Sequence, residues 1–199
     1  MMAPYRVWPT QTDVEIANAV AEYTSPTTER VAEVLTWGAD ENLLCALAAG
    51  WWVYCRGRSR PERVNSNHIL LTTVAVTIIP KVLKTIFDQQ RPDRLTVRGH
   101  LHGAPFSGKR LDAFPSGHAM HVGALASAAT MLPRGKRNLV WALGAGLVAT
   151  RIVLLAHWAS DVAAGLAIGG LTERLLRFWT GYGSTEAARR ADPRPRLRS

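Results

Sequence analysis

Acidic side chains are scarce in this chain. Its 199 residues carry 15 Asp and Glu against 24 Lys and Arg, a formal net charge of +9. Such an imbalance selects an anionic partner: nucleic acid, an anionic membrane or an acidic substrate. Cysteine is scarcer still, with two residues, Cys45 and Cys55, both in one apolar segment. If that segment is one helix they lie about 15 Å apart along its axis and cannot pair, so both are read as buried free thiols. Residues 1–30 lack a continuous apolar core, and no signal peptide is expected there. The sequence also has no internal repeat, and no low-complexity stretch apart from an Arg/Pro tail. Finally, the apolar residues mostly lack amphipathic spacing. They make up long blocks separated by arginine-rich turns, which favours a membrane over nucleic acid. The mean hydropathy of -0.01 is low for a membrane chain because Ala and Gly fill the blocks and the loops are very polar.

Taken in order, residues 12–23 place Val14, Ala17, Val20, Ala21 and Tyr23 near helical spacing, with Asp13, Glu15 and Glu22 between them. Ser25-Pro26 interrupts this helix, and a second is expected from Thr27 or Thr28 over Val31, Val34, Leu35 and Trp37. Both helices either lie on a membrane surface or pack on the rest of the protein. Leu43 to Cys55 is apolar but shorter than the ~20 residues a span needs. The first span therefore takes in Gly38 to Asn42 or continues from the preceding helix. Ile69 to Phe87 forms the second span, with Asn65 to Asn67 as its cap and Pro80 tolerated inside it. A long polar loop covers Asp88 to Pro115, a length that often carries function. Ser116 to Leu132 forms the third span, Leu139 to Ala156 the fourth and Ala159 or Ser160 to Phe178 the fifth.

The expectation is an all-α, polytopic membrane helical bundle with five transmembrane helices, six if residues 12–42 supply one, plus amphipathic N-terminal helices. It forms one membrane-embedded domain over 1–182, followed by a disordered Arg/Pro-rich tail at 183–199. Arg56, Arg58, Arg60 and Arg63 follow the first span, Arg134, Lys136 and Arg137 the third, and Arg189, Arg190, Arg194, Arg196 and Arg198 the fifth. With five spans all three groups fall on the cytoplasmic side of a cell or inner membrane, and the loop 88–115 lies outside. Trp51, Trp52, Tyr54, Phe178, Trp179 and Tyr182 then mark an inner interface, with Trp158 at an outer one.

Three polar clusters fall on the outer side. Lys84 and Arg91 are seven apart and share a face if the helix persists to Pro92. In Phe114-Pro115-Ser116-Gly117-His118, Pro115 disfavours helix before it and Ser116 is a good N-cap. The unpaired N–H groups of the following helix make an anion cradle, and Gly117 admits a ligand close to the backbone. The bland alternative is a capped helix with an incidental histidine. Arg151 ends the fourth span, and His157 and Asp161 open the fifth. Three cations beside a helix N-terminus suit a phosphate. A histidine with a carboxylate one turn away suits a nucleophile or base, and a second histidine suits a general acid. No carboxylate cluster or Cys/His set is left over to hold a metal.

Lys84 through Arg91-Pro92 reads K-x6-R-P, residues 115–118 read P-S-G-H, and Arg151, His157 and Asp161 read R-x5-H-x3-D. Together these resemble the three signature motifs of the type 2 phosphatidic acid phosphatase family, whose pocket is shared with the vanadium haloperoxidases. In size and layout the chain resembles the smaller bacterial members, including undecaprenyl-diphosphate phosphatases. The resemblance implies that His157 attacks phosphorus to form a phosphohistidine, that Asp161 orients it, and that His118 protonates the leaving oxygen. It implies that Lys84, Arg91, Arg151, Ser116 and Gly117 bind the phosphoryl oxygens without a metal or other cofactor. Thr150 departs from the serine often found before the arginine, yet keeps a hydroxyl.

The implied substrate is a membrane lipid phosphate: undecaprenyl diphosphate, phosphatidic acid, phosphatidylglycerol phosphate or a lipid A phosphate. The bilayer is the expected partner and nucleic acid is not, and the sequence sets no oligomeric state. Two rivals are a vanadate-binding haloperoxidase-like enzyme and a non-catalytic lipid-phosphate binder or transporter. Among the leftovers, His100 and His102 read as surface histidines, His121 as packing between helices and His68 as interfacial. Arg94, Arg98, Lys109 and Arg110 either contact a headgroup or are solvated. Asp88, Asp93 and Asp112 read as caps and ion-pair partners.

Overall fold

The computed structural model describes residues 4–92 and 111–183. Seven α-helices account for most of them: α1 (Gln11–Tyr23), α2 (Pro26–Thr36), α3 (Glu41–Tyr54), α4 (Arg60–Ile86), α5 (Gly117–Ala128), α6 (Arg134–Val153) and α7 (Ala159–Thr180). A two-residue strand at Tyr5–Arg6 pairs in parallel with one at Phe87–Asp88, fixing the N-terminal segment to the end of α4.

Local sequence sets the helix ends. Thr10 and Asp13 form a reciprocal capping box that starts α1. Ser25 caps α2 with Pro26 in its first turn, and Asp40 accepts from Asn42 and Leu43 N–H at 3.0 Å to start α3. The 14 residues of α3 span only about 21 Å. The long helix α4 begins at a Ser59/Glu62 box, well ahead of the expected Asn65–Asn67 cap, because that box satisfies the orphan N–H groups earlier. It also ends before Arg91, so Lys84 and Arg91 do not share a helix. Among the described residues one helix, α4, is long and apolar enough by length and composition to cross a membrane.

The core is built from small residues and the outside from large ones. Ala119, Val122, Val148 and Val162 join α5, α6 and α7, and Val76, Met120 and Ala124 join α4 to α5. Leu47, Val53, Ile78, Leu143, Leu171 and Phe178 are exposed on the outer faces. That distribution suits a lipid surround, in which burial of large apolar side chains gains little. The closest pairing is α5 on α7. A Cβ at Gly165 would come within 2.6 Å of the Ser116 carbonyl oxygen, and Cβ atoms at Gly123 and Gly169 would collide with the carbonyls of Leu166 and Met120. Glycine is required at all three for the helices to meet at this distance.

Helices α1 and α2 each pack one face on the protein, while Val31, Val34 and Leu35 of α2 stay exposed. Val14, Ala17, Val20 and Ala21 of α1 cover Ala113, Leu155 and Trp158, while Ala32 of α2 packs on Leu154 and Ala156. Two aromatic expectations change. Trp158 is buried rather than interfacial. His68, at the far end of the bundle, is also fully buried: its Nε2 lies 3.0 Å from Glu173 Oε1, its Nδ1 lies 2.8 Å from Thr180 Oγ1, and Tyr182 stacks on its ring. Ser127 and Arg177 complete that network on Glu173. Cys45 and Cys55 are free thiols. His100, His102, Asp93, Arg94, Arg98, Lys109, Arg110 and the tail from residue 184 lie outside the described residues.

Candidate active site

The three sequence clusters meet where α4 and α6 end and α5 and α7 begin, and short contacts tie each to the others. Gln89 N–H donates to Leu111 O and Ala113 N–H to Gln89 O, at 3.3 and 3.1 Å, joining the segment after α4 to that before α5. Trp158 Nε1 donates to Gln90 O at 2.7 Å, tying the start of α7 to the same segment. Ser116 N–H donates to Asp161 O at 3.3 Å, tying α5 to α7. The Phe114–Pro115 peptide bond is cis.

His157 lies at the centre, in the turn between α6 and α7. Its Nδ1 donates to the Ala113 carbonyl at 2.7 Å. A carbonyl can only accept, so Nδ1 carries the proton and the neutral ring presents a lone pair at Nε2. Burial holds His157 well below the ordinary histidine pKa, and the nearby charges of Arg151, Arg91 and Lys84 add to the shift against the opposing Ala113 carbonyl. The ring is therefore neutral at physiological pH. Leu155, two residues before it, has a φ of 49°, an uncommon conformation for a branched residue that turns the chain sharply into the site.

Direct orientation of His157 by Asp161 is not what the structure records. Asp161 Oδ2 stands 3.8 Å from Nδ1 and accepts the Trp158 N–H at 3.0 Å. The ring's hydrogen bond belongs to Ala113 because the backbone oxygen reaches it first. Asp161 Oδ1 is buried beside the Gln89 side chain.

The cations are arranged with donors to spare. Asp112 accepts from Arg91 Nε at 3.1 Å and Nη2 at 2.9 Å, and lies 3.8 Å from Lys84 Nζ, as an ion-pair partner should. This carboxylate, rather than a shared helix face, brings Lys84 and Arg91 together. Thr36 Oγ1 accepts from Arg151 Nη1 at 2.8 Å. Arg91 Nη1 and Arg151 Nε remain buried and unpartnered. Ser116 is fully buried and caps α5 through Ala119 N–H at 3.4 Å. A Cβ at Gly117 would meet nothing closer than Pro80 at 3.7 Å, so packing does not require glycine there. His118 follows in the first turn of α5, within electrostatic range of Arg151, Lys84 and Arg91. His121 packs one turn on, its Nε2 3.3 Å from Thr77 Oγ1. Among the described residues no three His, Cys, Asp or Glu side chains gather as a metal site would need.

Unpartnered guanidinium donors, a helix N-terminus and a neutral histidine in one buried place are the parts of a phosphoryl-transfer site. The chain belongs to the PAP2 superfamily, whose profile matches residues 66–183. It is similar to the lipid A 1-phosphatase of Rhizobium etli, at 32% identity over 155 residues, covering 71% of this chain and 67% of that one. A second lipid A 1-phosphatase, from Rhizobium johnstonii, is 37% identical over 103 residues, covering 51% of this chain and 42% of its own length. Among solved structures, Aquifex aeolicus LpxE superimposes with a TM-score of 0.63 at 16% identity, covering 88% of this chain and 98% of that chain. The transmembrane PAP2-type phosphatidylglycerolphosphate phosphatase from Bacillus subtilis superimposes with a TM-score of 0.61 at 20% identity, covering 85% of each chain. The protein is thus a phosphatase of the membrane, a hydrolase of phosphoric esters carried on lipid.

Sequence reasoning found every charged group named here; it missed the supporting hydroxyl of Thr36 and the contact of Asp13 in α1, which accepts from Ser160 at the start of α7. Asp13 stood as one polar position of an amphipathic helix, and Thr36 carried no motif. The Ala113 and Gln90 carbonyls are backbone groups with no signature in side-chain identity.

Proposed function

We propose that this protein removes the 1-phosphate of lipid A, or a closely related glycolipid phosphate, through a phosphohistidine on His157. The observation that carries the reading is the Ala113 carbonyl fixing the Nδ1 tautomer of a neutral, buried His157 among Arg151, Arg91 and Lys84. Nε2 attacks phosphorus while the phosphorus–oxygen bond to the lipid breaks, and His118 gives its proton to the departing oxygen. His118 then takes a proton from water, whose oxygen attacks phosphorus and breaks the phosphorus–nitrogen bond, releasing phosphate and restoring His157. Lys84, Arg91, Arg151, the Ser116 cap and the Gly117 N–H bind the phosphoryl oxygens as charge redistributes. Asp161 offsets the positive charge that His157 gains and holds the start of α7. No metal enters these steps.

The lipid A substrate follows the names of the two curated relatives. A cleft of about 200 Å³ between α3, α4 and α5, lined by Leu44, Ala48, Trp51, Val76 and His121, supports a hydrocarbon-bearing substrate. In the proposed topology α3 to α7 span the membrane, the site faces the extracytoplasmic side and the basic turns and tail face the cytoplasm. The basic turns at 56–63 and 134–137 connect the helices at the end opposite the site, as this topology requires. Residues 1–182 act as one domain.

The test is phosphate release by the purified protein in detergent with EDTA, on lipid A, phosphatidylglycerol phosphate, phosphatidic acid and undecaprenyl diphosphate. Release from lipid A that survives EDTA and is lost in His157→Ala is the expected result. Preference for another lipid overturns the substrate, and full activity of His157→Ala overturns the chemistry.

A further inference from the structure

Helix α7 starts in an unusual way. Its N-cap is Trp158, whose indole has no acceptor, so the orphan N–H groups of the first turn need help from elsewhere. Part of that help comes from the far end of the sequence. Asp13 of α1, 147 positions away, accepts Ser160 N–H at 2.9 Å on Oδ1 and Ser160 Oγ–H at 2.8 Å on Oδ2. The same Oδ2 accepts the N–H and hydroxyl of Thr10, both at 2.9 Å. Asp13 is buried. Burial raises its pKa, but the hydrogen bonds from Ser160 and Thr10 outweigh burial and hold the carboxyl below its ordinary value, so it is anionic at neutral pH. An anion at a helix N-terminus also complements the macrodipole.

Helix α2 makes a second long-range contact through its last residue. Thr36 is buried and takes the Nη1 donor of Arg151, leaving Nε of that guanidinium without a protein partner. The apolar faces of both helices close over the same turn: Ala17 against Leu155, Trp158 and Ala113, and Ala32 against Leu154 and Ala156. Both helices precede residues 66–183, the segment that matches the family.

We infer that the N-terminal helix pair is a positioning element of the phosphatase site, with Asp13 fixing the turn that carries His157 and Asp161, and Thr36 fixing the guanidinium of Arg151 on the phosphoryl group. The inference rests on the phosphohistidine reading above. It assigns the two residues different parts. Thr36 sets how tightly a phosphoryl group is held, because it acts on a binding cation. Asp13 sets the rate of the chemical step, because it acts on the placement of the nucleophile, and small displacements of reacting groups are costly.

The experiment uses the full chain in detergent and compares wild type with Thr36→Val, Thr36→Ser, Asp13→Asn and Ser160→Ala. Orthophosphate affinity is read by titration calorimetry, kcat and KM are read on lipid A, and folded fraction is read by thermal melting. Thr36→Val weakens orthophosphate binding about ten-fold, the scale of one hydrogen bond to a charged group, and Thr36→Ser restores it. Asp13→Asn lowers kcat per folded molecule at least ten-fold, in line with its lost hydrogen bonds, and leaves orthophosphate affinity near wild type. Ser160→Ala, which removes one of those bonds, has a smaller effect in the same direction and serves if Asp13→Asn does not fold. A purely structural role lowers the folded fraction and leaves affinity and kcat per folded molecule unchanged, and that outcome overturns the inference. Wild-type protein that binds orthophosphate but does not turn over lipid A removes the lipid A reading, while the Thr36 titration still decides the positioning of Arg151. Wild-type protein that neither binds orthophosphate nor turns over lipid overturns both.

Discussion

Replacing Gly165 by alanine tests whether the closeness of α5 and α7 sets the spacing of the groups proposed to be catalytic. The added Cβ would sit 2.6 Å from the Ser116 carbonyl oxygen and 2.9 Å from the Ala119 Cβ. The first distance is roughly 0.8 Å short of the ~3.4 Å at which ordinary van der Waals contact begins. Neither neighbour is the free end of a flexible side chain, so the helices themselves must part. Ser116, Gly117 and His118 ride on α5, while His157 and Asp161 sit at the start of α7, and a shift of that size separates them. Misplacing reacting groups by about 1 Å can cost about 100-fold in rate, and overpacking a tight contact costs about 1–3 kcal/mol of stability. Gly165→Ala should therefore lower kcat/KM about 100-fold, measured as phosphate release below the melting transition, and should lower the melting temperature. Gly170→Ala, five residues along the same helix, provides the comparison. Its Cβ would lie 3.6 Å from the nearest atom, so the variant should match wild type in both measurements. Wild-type turnover in Gly165→Ala would refute the argument that this contact sets the geometry of the site.

Three further outcomes are expected. Gly117→Ala has room for its Cβ, 3.7 Å from Pro80, so it should melt as wild type does while KM rises or turnover falls; unchanged kinetics would remove Gly117 from the phosphoryl cradle. Because the pKa of His157 is lowered on folding, the unfolded chain takes up this proton first as pH falls. Its contribution to stability is therefore full above about pH 6.5 and declines below it, and thermal melts of wild type and His157→Ala across pH 5 to 8 should differ in that slope, roughly within that window. By the same shift, wild-type kcat/KM should show no acid limb from His157 above about pH 6.5. Glu173→Ala leaves His68, Arg177 and Ser127 without their shared acceptor at the far end of the bundle, and should cost about 3–5 kcal/mol in denaturant titration with KM unchanged.

The residues proposed to carry the chemistry were legible because each sits in a short motif whose residue types suit phosphate. The helices were legible from apolar blocks, though their starts were not always so. At α4 the Ser59/Glu62 box overrode the boundary suggested by hydropathy, since capping is decided by orphan N–H groups. Lys84 and Arg91 were correctly paired for an incorrect reason: the helix ends at Ile86, and Asp112 gathers them from a segment distant in sequence. The hydrogen bond on His157 could not be anticipated, because its acceptor is a main-chain oxygen of an alanine. Asp13 and Thr36 were invisible because their partners lie 147 and 115 positions away, and periodicity carries no information at that range. His68 looked interfacial because a histidine near an arginine-rich turn usually is; three partners on α7 and its end drew it inside.

The bond between Asp13 and Ser160 also orders events in the life of the chain. A ribosome releases the carboxylate early, and the serine that completes its set of partners emerges only after four of the five longest helices have been made. Until then the turn that bears His157 lacks its anchor to α1, although Arg151, its neighbour in the site, has already been made. A newly synthesised molecule therefore holds most of its helices before the contact between α1 and the start of α7 can form. On the positioning role inferred for Asp13, phosphate chemistry would begin only once α1 has met the start of α7.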